Sequence, residues 1–322
     1  MKILANDGIS KSGVRALEDA GFKVIETRVA QEQLAKFLVE EDIDVILVRS
    51  ATQVRKDLID SCPNLKVIGR GGVGMENIDV EYARNKGLFV INTPAASSSS
   101  VAELVFAHLF SGVRYLHDSN RNMPLSGDTK FKDLKKNYAG GSELRGKTLG
   151  IIGMGRIGHE VAKIALGIGM KVIGSDDKVG QIDIKLHFYN DQVVNIPIKT
   201  EPIEDLIKHS DFITLHVPAQ NKPLIGKDEF KKMKDGVGII NTSRDGVVDE
   251  GALIDALESG KVSFAGLDVF VNEPTPAIKV LMDQRISLSP HIGAATSEAQ
   301  ERIGTELAEK IISLFNGEKT TS

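Results

Sequence analysis

Short apolar segments alternate with helical patterns along most of the chain, and this alternation limits the fold more than any other feature of the sequence. The predicted strands of a first series are Lys2–Ala5, Lys23–Glu26, Val45–Val48, Val67–Gly69 and Phe89–Asn92. Predicted helices lie between them at Ser10–Ala20, Gln31–Glu40, Lys56–Ser61 and Val80–Asn85. Continuous apolar strands separated by helices predict a parallel sheet that helices cover on both faces.

A turn rich in proline and serine follows the first series and precedes a long apolar helix. We place this helix at Val101–Leu116, with Ser100 as its N-cap and Glu103 at the capping-box position. A polar loop is predicted from Asp118 to Gly141.

A second alternating series begins at Thr148 and predicts another parallel sheet. Its predicted strands are Leu149–Ile152, Lys171–Gly174, Phe212–Leu215, Val237–Asn241, Phe264–Leu267 and Ile286–Ser289. Its predicted helices are Gly155–Leu166, Ile203–Lys208, Lys227–Met233 and Gly251–Ser259. Residues 181–200 interrupt the series with a predicted β-hairpin.

The last helix, Ser297–Phe315, has no place in the second series, so we expect it to pack on the first domain. The chain is then predicted to form two domains, residues 1–97 with 293–322 and residues 98–292. A length of 322 residues suits two hydrophobic cores better than one.

Composition excludes several classes of function. The net charge is −4, so no broad basic surface is expected for nucleic acid or an anionic membrane. No apolar run reaches the length that a membrane span needs. Cys62 is the single cysteine, which excludes an intramolecular disulfide and suits a reducing compartment. We therefore expect a cytoplasmic protein.

The segment Gly153-Met154-Gly155-Arg156-Ile157-Gly158 runs from a predicted strand into a predicted helix. Glycines at these spacings permit a tight turn, a close approach of the backbone to a pyrophosphate, and close packing of helix on strand. Asp176 ends the next strand, where an acidic side chain binds the ribose hydroxyls and disfavours a 2′-phosphate. The pattern predicts an NAD site, with NAD preferred to NADP.

Arg244, Glu273 and His291 each follow a strand of the second series, at the sheet edge where open α/β sheets bind ligands. A histidine can accept the hydroxyl proton when hydride leaves a secondary alcohol. A carboxylate on its other nitrogen orients the ring, and an arginine can hold a substrate carboxylate. The other six histidines, such as His159 and His209, are interpreted as helix-surface residues.

The sequence resembles the D-2-hydroxyacid dehydrogenase family over essentially its full length. The motifs that carry the resemblance are Gly71–Gly74 with Asn77–Asp79, Ser100–Leu104, Gly153–Gly158, Leu215–Pro218, Asn241–Glu250, Gly266–Pro274 and Pro290–Thr296. It implies a Rossmann NAD-binding domain inserted into a flavodoxin-like substrate-binding domain, both doubly wound α/β folds with parallel sheets. Asp245 departs from the family, in which glycine usually follows the arginine.

The resemblance also implies roles for individual residues. Arg244, Glu273 and His291 are implied to be catalytic, and no metal site is expected. The residues implied in NAD binding are Gly153, Gly155, Arg156, Ile157, Gly158, Asp176, His216, Val217, Pro218, Thr242, Asp268 and Ala294. The residues implied in substrate binding are Arg49, Ser50, Gly71, Gly72, Val73 and Gly74, the glycine loop through its backbone N–H groups.

Val48–Thr52 resembles the segment that meets the phosphate end of the substrate in members that oxidise D-3-phosphoglycerate to 3-phosphohydroxypyruvate with NAD, the first step of serine biosynthesis. Reduction of glyoxylate or hydroxypyruvate, or turnover of another D-2-hydroxy acid, is the alternative. A more distant alternative is an NAD-sensing corepressor that acts as a binding protein. The resemblance further implies a homodimer through the Ser100–Leu116 helix region.

Overall fold

A computed structural model describes residues 1–177 and 180–317 and divides the chain into two compact units. One unit comprises Met1–Ser98 together with the chain from Ala294 onward, and the other comprises Ser99–Gly293. The second unit is therefore inserted as one continuous segment into the first.

The first unit is built on a parallel five-stranded sheet in the order β2-β1-β3-β4-β5, as in flavodoxin-like folds. Its strands are β1 (Lys2–Ala5), β2 (Lys23–Ile25), β3 (Val45–Val48), β4 (Val67–Arg70) and β5 (Phe89–Asn92). Its helices are α1 (Lys11–Asp19), α2 (Gln31–Glu40), α3 (Lys56–Ser61), α4 (Val80–Asn85) and α13 (Ser297–Phe315). The predicted parallel sheet is confirmed, because every strand pair runs in the same direction.

The terminal helix α13 packs against α1, which confirms the expectation that it returns to the first domain. The two helices approach so closely at Gly13 that a Cβ atom there would lie 2.7 Å from the carbonyl oxygen of Gly304. Side chains of α13 also bind the end of the sheet. Arg302 Nε donates to the Ala96 carbonyl over 2.8 Å, and Lys310 Nζ donates to the Asn92 carbonyl over 2.7 Å.

The second unit contains a parallel six-stranded sheet in the order β13-β12-β11-β10-β6-β7. Its strands are β6 (Thr148–Ile152), β7 (Lys171–Ser175), β10 (Phe212–Leu215), β11 (Val237–Asn241), β12 (Val262–Leu267) and β13 (Ile286–Leu288). The helices that alternate with them are α8 (Arg156–Gly167), α9 (Ile203–His209), α10 (Lys227–Lys232), α11 (Glu250–Glu258) and α12 (Ile278–Met282). Among the described residues, no helix is long and apolar enough to cross a membrane.

The long apolar helix α5 spans Ser98–Val113, so its predicted bounds of 101–116 are wrong. Ser100 lies inside the first turn and is not the N-cap. Serine is tolerated within helices, so a serine run does not by itself mark where a helix begins. The helix ends before Tyr115, whose φ of 55° is left-handed and interrupts the helical path.

The predicted polar loop over residues 118–141 is also wrong, because this segment forms α6 (Leu116–Ser126) and α7 (Phe131–Asn137). Tertiary hydrogen bonds join them: the Tyr138 hydroxyl donates to Asp118 Oδ2 over 2.7 Å and accepts from Asn122 Nδ2 over 3.0 Å. Contacts between residues so far apart in sequence outweigh weak local propensity, and the local pattern does not contain them.

The predicted hairpin after β7 is confirmed as antiparallel strands β8 (Gln181–His187) and β9 (Val193–Lys199). Ile182, Ile184 and Ile198 are buried in the core that also contains residues of α8. Thr200 then forms a parallel bridge with Gly174 of β7. The hairpin thus extends the hydrophobic core along one side of α8, the helix that follows the Gly153–Gly158 segment.

Candidate active site

Two glycines of the Gly153–Gly158 segment occupy positions that a larger residue cannot fill. Gly153 has a φ of +94°, and a Cβ atom there would lie 2.3 Å from the His216 carbonyl oxygen. A Cβ atom on Gly158 would lie 2.2 Å from the Gly153 carbonyl oxygen. The loop and the start of α8 are therefore packed as tightly as a dinucleotide-binding turn requires.

Gly155 differs from its neighbours because a Cβ atom there would meet nothing within 4 Å. It is the N-cap of α8, and its backbone borders open space at the end of the helix where N–H groups point outward. Arg156 and Ile157 are the first residues of this helix. This end of α8 fits a pyrophosphate, which backbone N–H groups and the helix dipole can bind.

Asp176 follows β7 directly and lies beside the glycine loop. Its Oδ2 atom accepts a hydrogen bond from the Met154 N–H over 2.9 Å. The bond fixes the acidic side chain at the carboxyl end of the sheet, where the ribose acid of a Rossmann domain is expected.

The end of β10 presents His216, Val217 and Pro218, and the end of β11 presents Thr242. His216 Nε2 lies 3.0 Å from Thr214 Oγ1, and burial lowers the pKa of this histidine to about 3. The Thr242 hydroxyl is buried, and no hydrogen-bond partner for it is present among the described residues. A buried hydroxyl with spare hydrogen-bonding capacity fits a ligand-binding position.

Arg244 lies in a turn that the Asn241 side chain organises. Asn241 Nδ2 donates to the Arg244 carbonyl over 2.9 Å, and its Oδ1 accepts from the Ser243 N–H over 3.1 Å and hydroxyl over 2.8 Å. Arg244 Nη1 donates to the Ser243 carbonyl over 2.7 Å. Asn241 ends β11, so this network holds the arginine at the carboxyl edge of the sheet.

Glu273 and His291 form a direct pair, with 2.9 Å between Glu273 Oε2 and His291 Nδ1. The other oxygen, Oε1, accepts from the Phe270 N–H over 3.0 Å. An ionised carboxylate can only accept, so the proton in the pair belongs to His291 Nδ1. The imidazole Nε2 is then available to exchange a proton, and the ring is about half exposed.

Asp268 holds the turn that carries His291. It is 1% exposed, and its carboxylate accepts from the N–H groups of Ile292 and Gly293, each over 2.8 Å. The Ser289 hydroxyl donates to the same carboxylate over 2.6 Å. His291 has a left-handed φ of 53°, which this set of hydrogen bonds supports.

Glu250 fixes the segment that precedes Glu273, although the sequence reading assigned it no role. Its Oε1 atom accepts from the Val271 N–H over 2.8 Å. Burial raises the pKa of Glu250, and the nearby Asp245 and Asp249 raise it further. Glu250 is the first residue of α11 and follows the Arg244 turn in the chain, which is the signal in the sequence that could have identified it.

The strand register explains why the three predicted catalytic residues share one sheet edge. β11 pairs with β12 and β12 pairs with β13, all in parallel, with Asn241 beside Leu267 and Leu267 beside Leu288. Arg244, Glu273 and His291 follow the ends of these adjacent strands. Ala294 lies in the other compact unit, where its carbonyl accepts from Gln300 Nε2 over 2.8 Å.

The predicted substrate residues lie in the first unit, after β3 and β4. The Asp7 carboxylate accepts from the N–H groups of Arg49 and Thr52 over 2.7 and 3.2 Å, and Asn77 Nδ2 donates to the Arg49 carbonyl over 2.8 Å. The turn with Arg49 and Ser50 is therefore held rigidly. Within the described residues, no acidic side chain pairs with the Arg49 guanidinium, which leaves its charge available to an anion.

The Gly71–Gly74 loop begins as a tight turn. Gly72 has a φ of +145°, and a Cβ atom on it would overlap the Arg70 guanidinium. The N–H groups of Gly71 and Gly72 bind the carbonyls of Val48 and Arg70. Among the described residues, no backbone acceptor is present for the N–H groups of Val73 and Gly74, so these donors fit the predicted role in binding a carboxylate.

Comparison with known proteins agrees with this fold. Residues 106–293 match the family described as D-isomer specific 2-hydroxyacid dehydrogenase, NAD binding domain. A hydroxypyruvate reductase of Thermotoga maritima is 42% identical over 316 residues, which cover 96% of this chain and 97% of the relative. A glyoxylate reductase structure from Paecilomyes thermophila superposes with a TM-score of 0.82 at 28% identity, covering 100% of this chain and 97% of that one.

A D-3-phosphoglycerate dehydrogenase of Methanocaldococcus jannaschii is 39% identical over 320 residues, which cover 99% of this chain. The chain spans 58% of the length of that relative. The fold and site define an NAD-binding oxidoreductase with two α/β domains. The chain belongs to the D-isomer specific 2-hydroxyacid dehydrogenase family, whose members are NAD-dependent dehydrogenases that act on CH–OH groups.

Proposed function

We propose that this protein oxidises D-3-phosphoglycerate to 3-phosphohydroxypyruvate with NAD, the first step of serine biosynthesis. The observation that carries the dehydrogenase chemistry is the Glu273–His291 pair, 2.9 Å apart, on the sheet edge that also carries Arg244. When bound, NAD supplies an acceptor for the hydride that leaves C2 of the substrate.

In this proposal the protein's own residues manage charge and proton transfer. His291 takes the C2 hydroxyl proton at Nε2, and Glu273 stabilises the imidazolium that forms. Arg244 binds the substrate carboxylate and stabilises negative charge on the oxygen that becomes a carbonyl. Backbone N–H groups of Val73 and Gly74 are further donors that suit a substrate carboxylate.

The NAD site would be formed by the residues of the glycine loop and the strand ends that follow it. The backbone at Gly155, Arg156 and Ile157 binds the pyrophosphate, and Asp176 binds the ribose hydroxyls. His216, Val217 and Pro218 border the adenine side. Thr242, Asp268 and Ala294 are the residues that would hold the nicotinamide end, and Thr242 has a buried hydroxyl that suits such a contact.

The choice of a phosphorylated substrate rests on Arg49. Its backbone is held in a turn by Asp7 and Asn77, and an arginine guanidinium matches the geometry of a phosphate. Ser50 follows it and can add a hydroxyl. The likeness to phosphoglycerate dehydrogenases over nearly all of this chain supports the same assignment.

The second candidate is the reduction of hydroxypyruvate or glyoxylate by NADH. It is favoured by the Thermotoga maritima relative, which matches this chain over almost the whole length of both proteins. The two reactions share Arg244, Glu273 and His291 and differ in whether the substrate carries a phosphate.

A homodimer through α5 and a cytoplasmic location are part of the proposal. Phe110 on α5 is 48% exposed, and Leu116, which begins α6, is 60% exposed. Large apolar side chains exposed on adjacent elements support burial against a second copy. The lone Cys62 supports a reducing compartment.

A panel of 2-hydroxy acids and 2-keto acids, assayed with NAD(H) and NADP(H), tests the proposal. The highest kcat/KM is expected for phosphoglycerate with NAD and for phosphohydroxypyruvate with NADH. A higher value for hydroxypyruvate or glyoxylate would select the second candidate. No change in NADH absorbance with any of these acids would contradict the proposed reaction and favour a binding role such as that of an NAD-sensing corepressor.

A further inference from the structure

A buried histidine on α5 lies directly behind the turn that carries His291. His108 is 4% exposed, with Nε2 at 2.9 Å from Ser289 Oγ and Nδ1 at 2.9 Å from Ser287 Oγ. Gly266 of β12 provides the space for it, because a Cβ atom there would lie 2.6 Å from His108 Cβ. The imidazole therefore bridges the two serines that flank Leu288 at the end of β13.

Counting protons assigns the tautomer of this histidine. Ser289 has one hydroxyl proton, which it donates to Asp268 Oδ1 over 2.6 Å. Its contact with His108 Nε2 then requires that Nε2 carries a proton and donates. In the neutral ring Nδ1 is unprotonated, so it accepts from the Ser287 hydroxyl.

The opposite tautomer leaves one short contact without a proton. With the proton on Nδ1, Ser289 must donate either to Asp268 over 2.6 Å or to His108 over 2.9 Å, but not to both. A protonated Nδ1 cannot accept from Ser287, so the Ser287 hydroxyl can then donate only to Ser111 Oγ, over 3.5 Å. That distance is at the limit of a hydrogen bond, so the Nε2–H tautomer is the more stable one.

The ring is neutral near pH 7, because burial lowers the pKa of His108 to about 4 despite the opposing effect of Asp268. A neutral ring with one fixed tautomer fixes the direction of both of its hydrogen bonds, because one nitrogen donates and the other accepts.

We propose that His108 is a positioning residue for the catalytic turn. Its Nε2–H donates to Ser289 Oγ, so the single hydroxyl proton of Ser289 is donated to Asp268. The Asp268 carboxylate then binds the N–H groups of Ile292 and Gly293 and holds His291 between them and Ser289. The inference rests on the proposed catalytic role of His291.

Two substitutions separate the two hydrogen bonds of the ring. His108→Gln places an amide near the former Nε2 and can still donate to Ser289, whereas His108→Asn places its amide near Nδ1 and can still accept from Ser287. Each variant retains one bond and loses the other, so similar losses of thermal stability are expected. Only His108→Gln retains the bond to Ser289, which is the residue that donates to Asp268.

We expect His108→Asn to lower kcat by about three- to tenfold, the effect of one weakened hydrogen bond on the barrier, with KM changed less than about twofold. His108→Gln should keep kcat within about twofold of the wild type. Equal kcat values for the two variants would overturn the proposal, because a space-filling role changes only thermal stability.

The tautomer can be measured without activity, by nitrogen-15 NMR of the wild-type protein labelled on histidine. A protonated Nε2 and an unprotonated Nδ1 are expected for His108, assigned by loss of the signal in His108→Gln. The reverse pattern would overturn the proposal, whatever kcat values the two variants show. Failure of the proposed function would instead appear as a wild-type protein with no hydride transfer.

Discussion

Glu273 Oε2 lies 2.9 Å from His291 Nδ1, so the carboxylate fixes the orientation of the imidazole and determines which nitrogen can exchange a proton. The Glu273 side chain is itself held by the Phe270 N–H. The pair thus needs no further residue to set the histidine tautomer.

His291→Ala is expected to lower kcat by about two to four orders of magnitude, the usual contribution of general acid–base catalysis. NADH binding, followed by fluorescence titration, should change little. His209→Ala is the matched control, since His209 is an exposed residue of α9 and should leave kcat unchanged. Retained turnover in His291→Ala would exclude its role as the base.

Arg49→Ala should raise KM for D-3-phosphoglycerate by about ten- to a hundredfold, because a charge-assisted hydrogen bond contributes about 1.5 to 3 kcal/mol. KM for unphosphorylated D-glycerate should change less than about threefold. Arg55→Ala controls for loss of positive charge nearby, since Arg55 is paired with Asp79 at 3.1 Å. Equal effects of Arg49→Ala on the two substrates would contradict a phosphate contact.

Gly155→Ala and Gly153→Ala are expected to separate cofactor binding from folding. At Gly155 the new methyl group meets nothing within 4 Å, so stability should be retained while the affinity for NAD falls. At Gly153 the methyl group would lie 2.3 Å from the His216 carbonyl oxygen, and both properties should be lost. Thermal melts with and without NAD measure both, and unchanged NAD affinity in Gly155→Ala would argue against a pyrophosphate at this backbone.

The stability of the protein should fall below pH 6.5 partly through His108. Its folded-state pKa is about 4, so between pH 6.5 and 4 the unfolded chain binds a proton that the folded chain does not. At pH 5.0 this difference costs about 2 kcal/mol, from an unfolded-state pKa of about 6.5.

Urea unfolding at pH 7.5 and pH 5.0 measures this cost. His108→Gln cannot titrate, so its loss of stability between the two pH values should be about 2 kcal/mol smaller than that of the wild type. His216 is present in both proteins, and its contribution cancels. Identical losses in both proteins would show that His108 does not titrate as a buried neutral group.

The strands were the most predictable part of the fold, because parallel strands buried on both faces appear as apolar runs. β3 and β5 have the predicted bounds, and so do β10 and β11. The errors fall on α5, α6 and α7, where no abrupt change of polarity marks the ends and contacts such as Tyr138–Asp118 decide the structure.

The candidate site was predictable where chemistry depends on a residue at a strand end. The Glu273–His291 pair follows from that rule, but the supporting contacts do not. His108 was interpreted as a surface residue, which is wrong, although it lies on the apolar stripe of α5 with Leu104 and Leu109. Its function as a hydrogen-bonded core residue depends on Ser287 and Ser289, which only the tertiary structure brings near.

The return of α13 to the first unit has a consequence for synthesis on the ribosome. The whole second unit emerges before α13, so it can fold while the first unit still lacks the helix that packs on α1. Until α13 has left the ribosome, the apolar residues beneath it remain uncovered and accessible to chaperones. Completion of the first unit thus has to wait for the synthesis of α13.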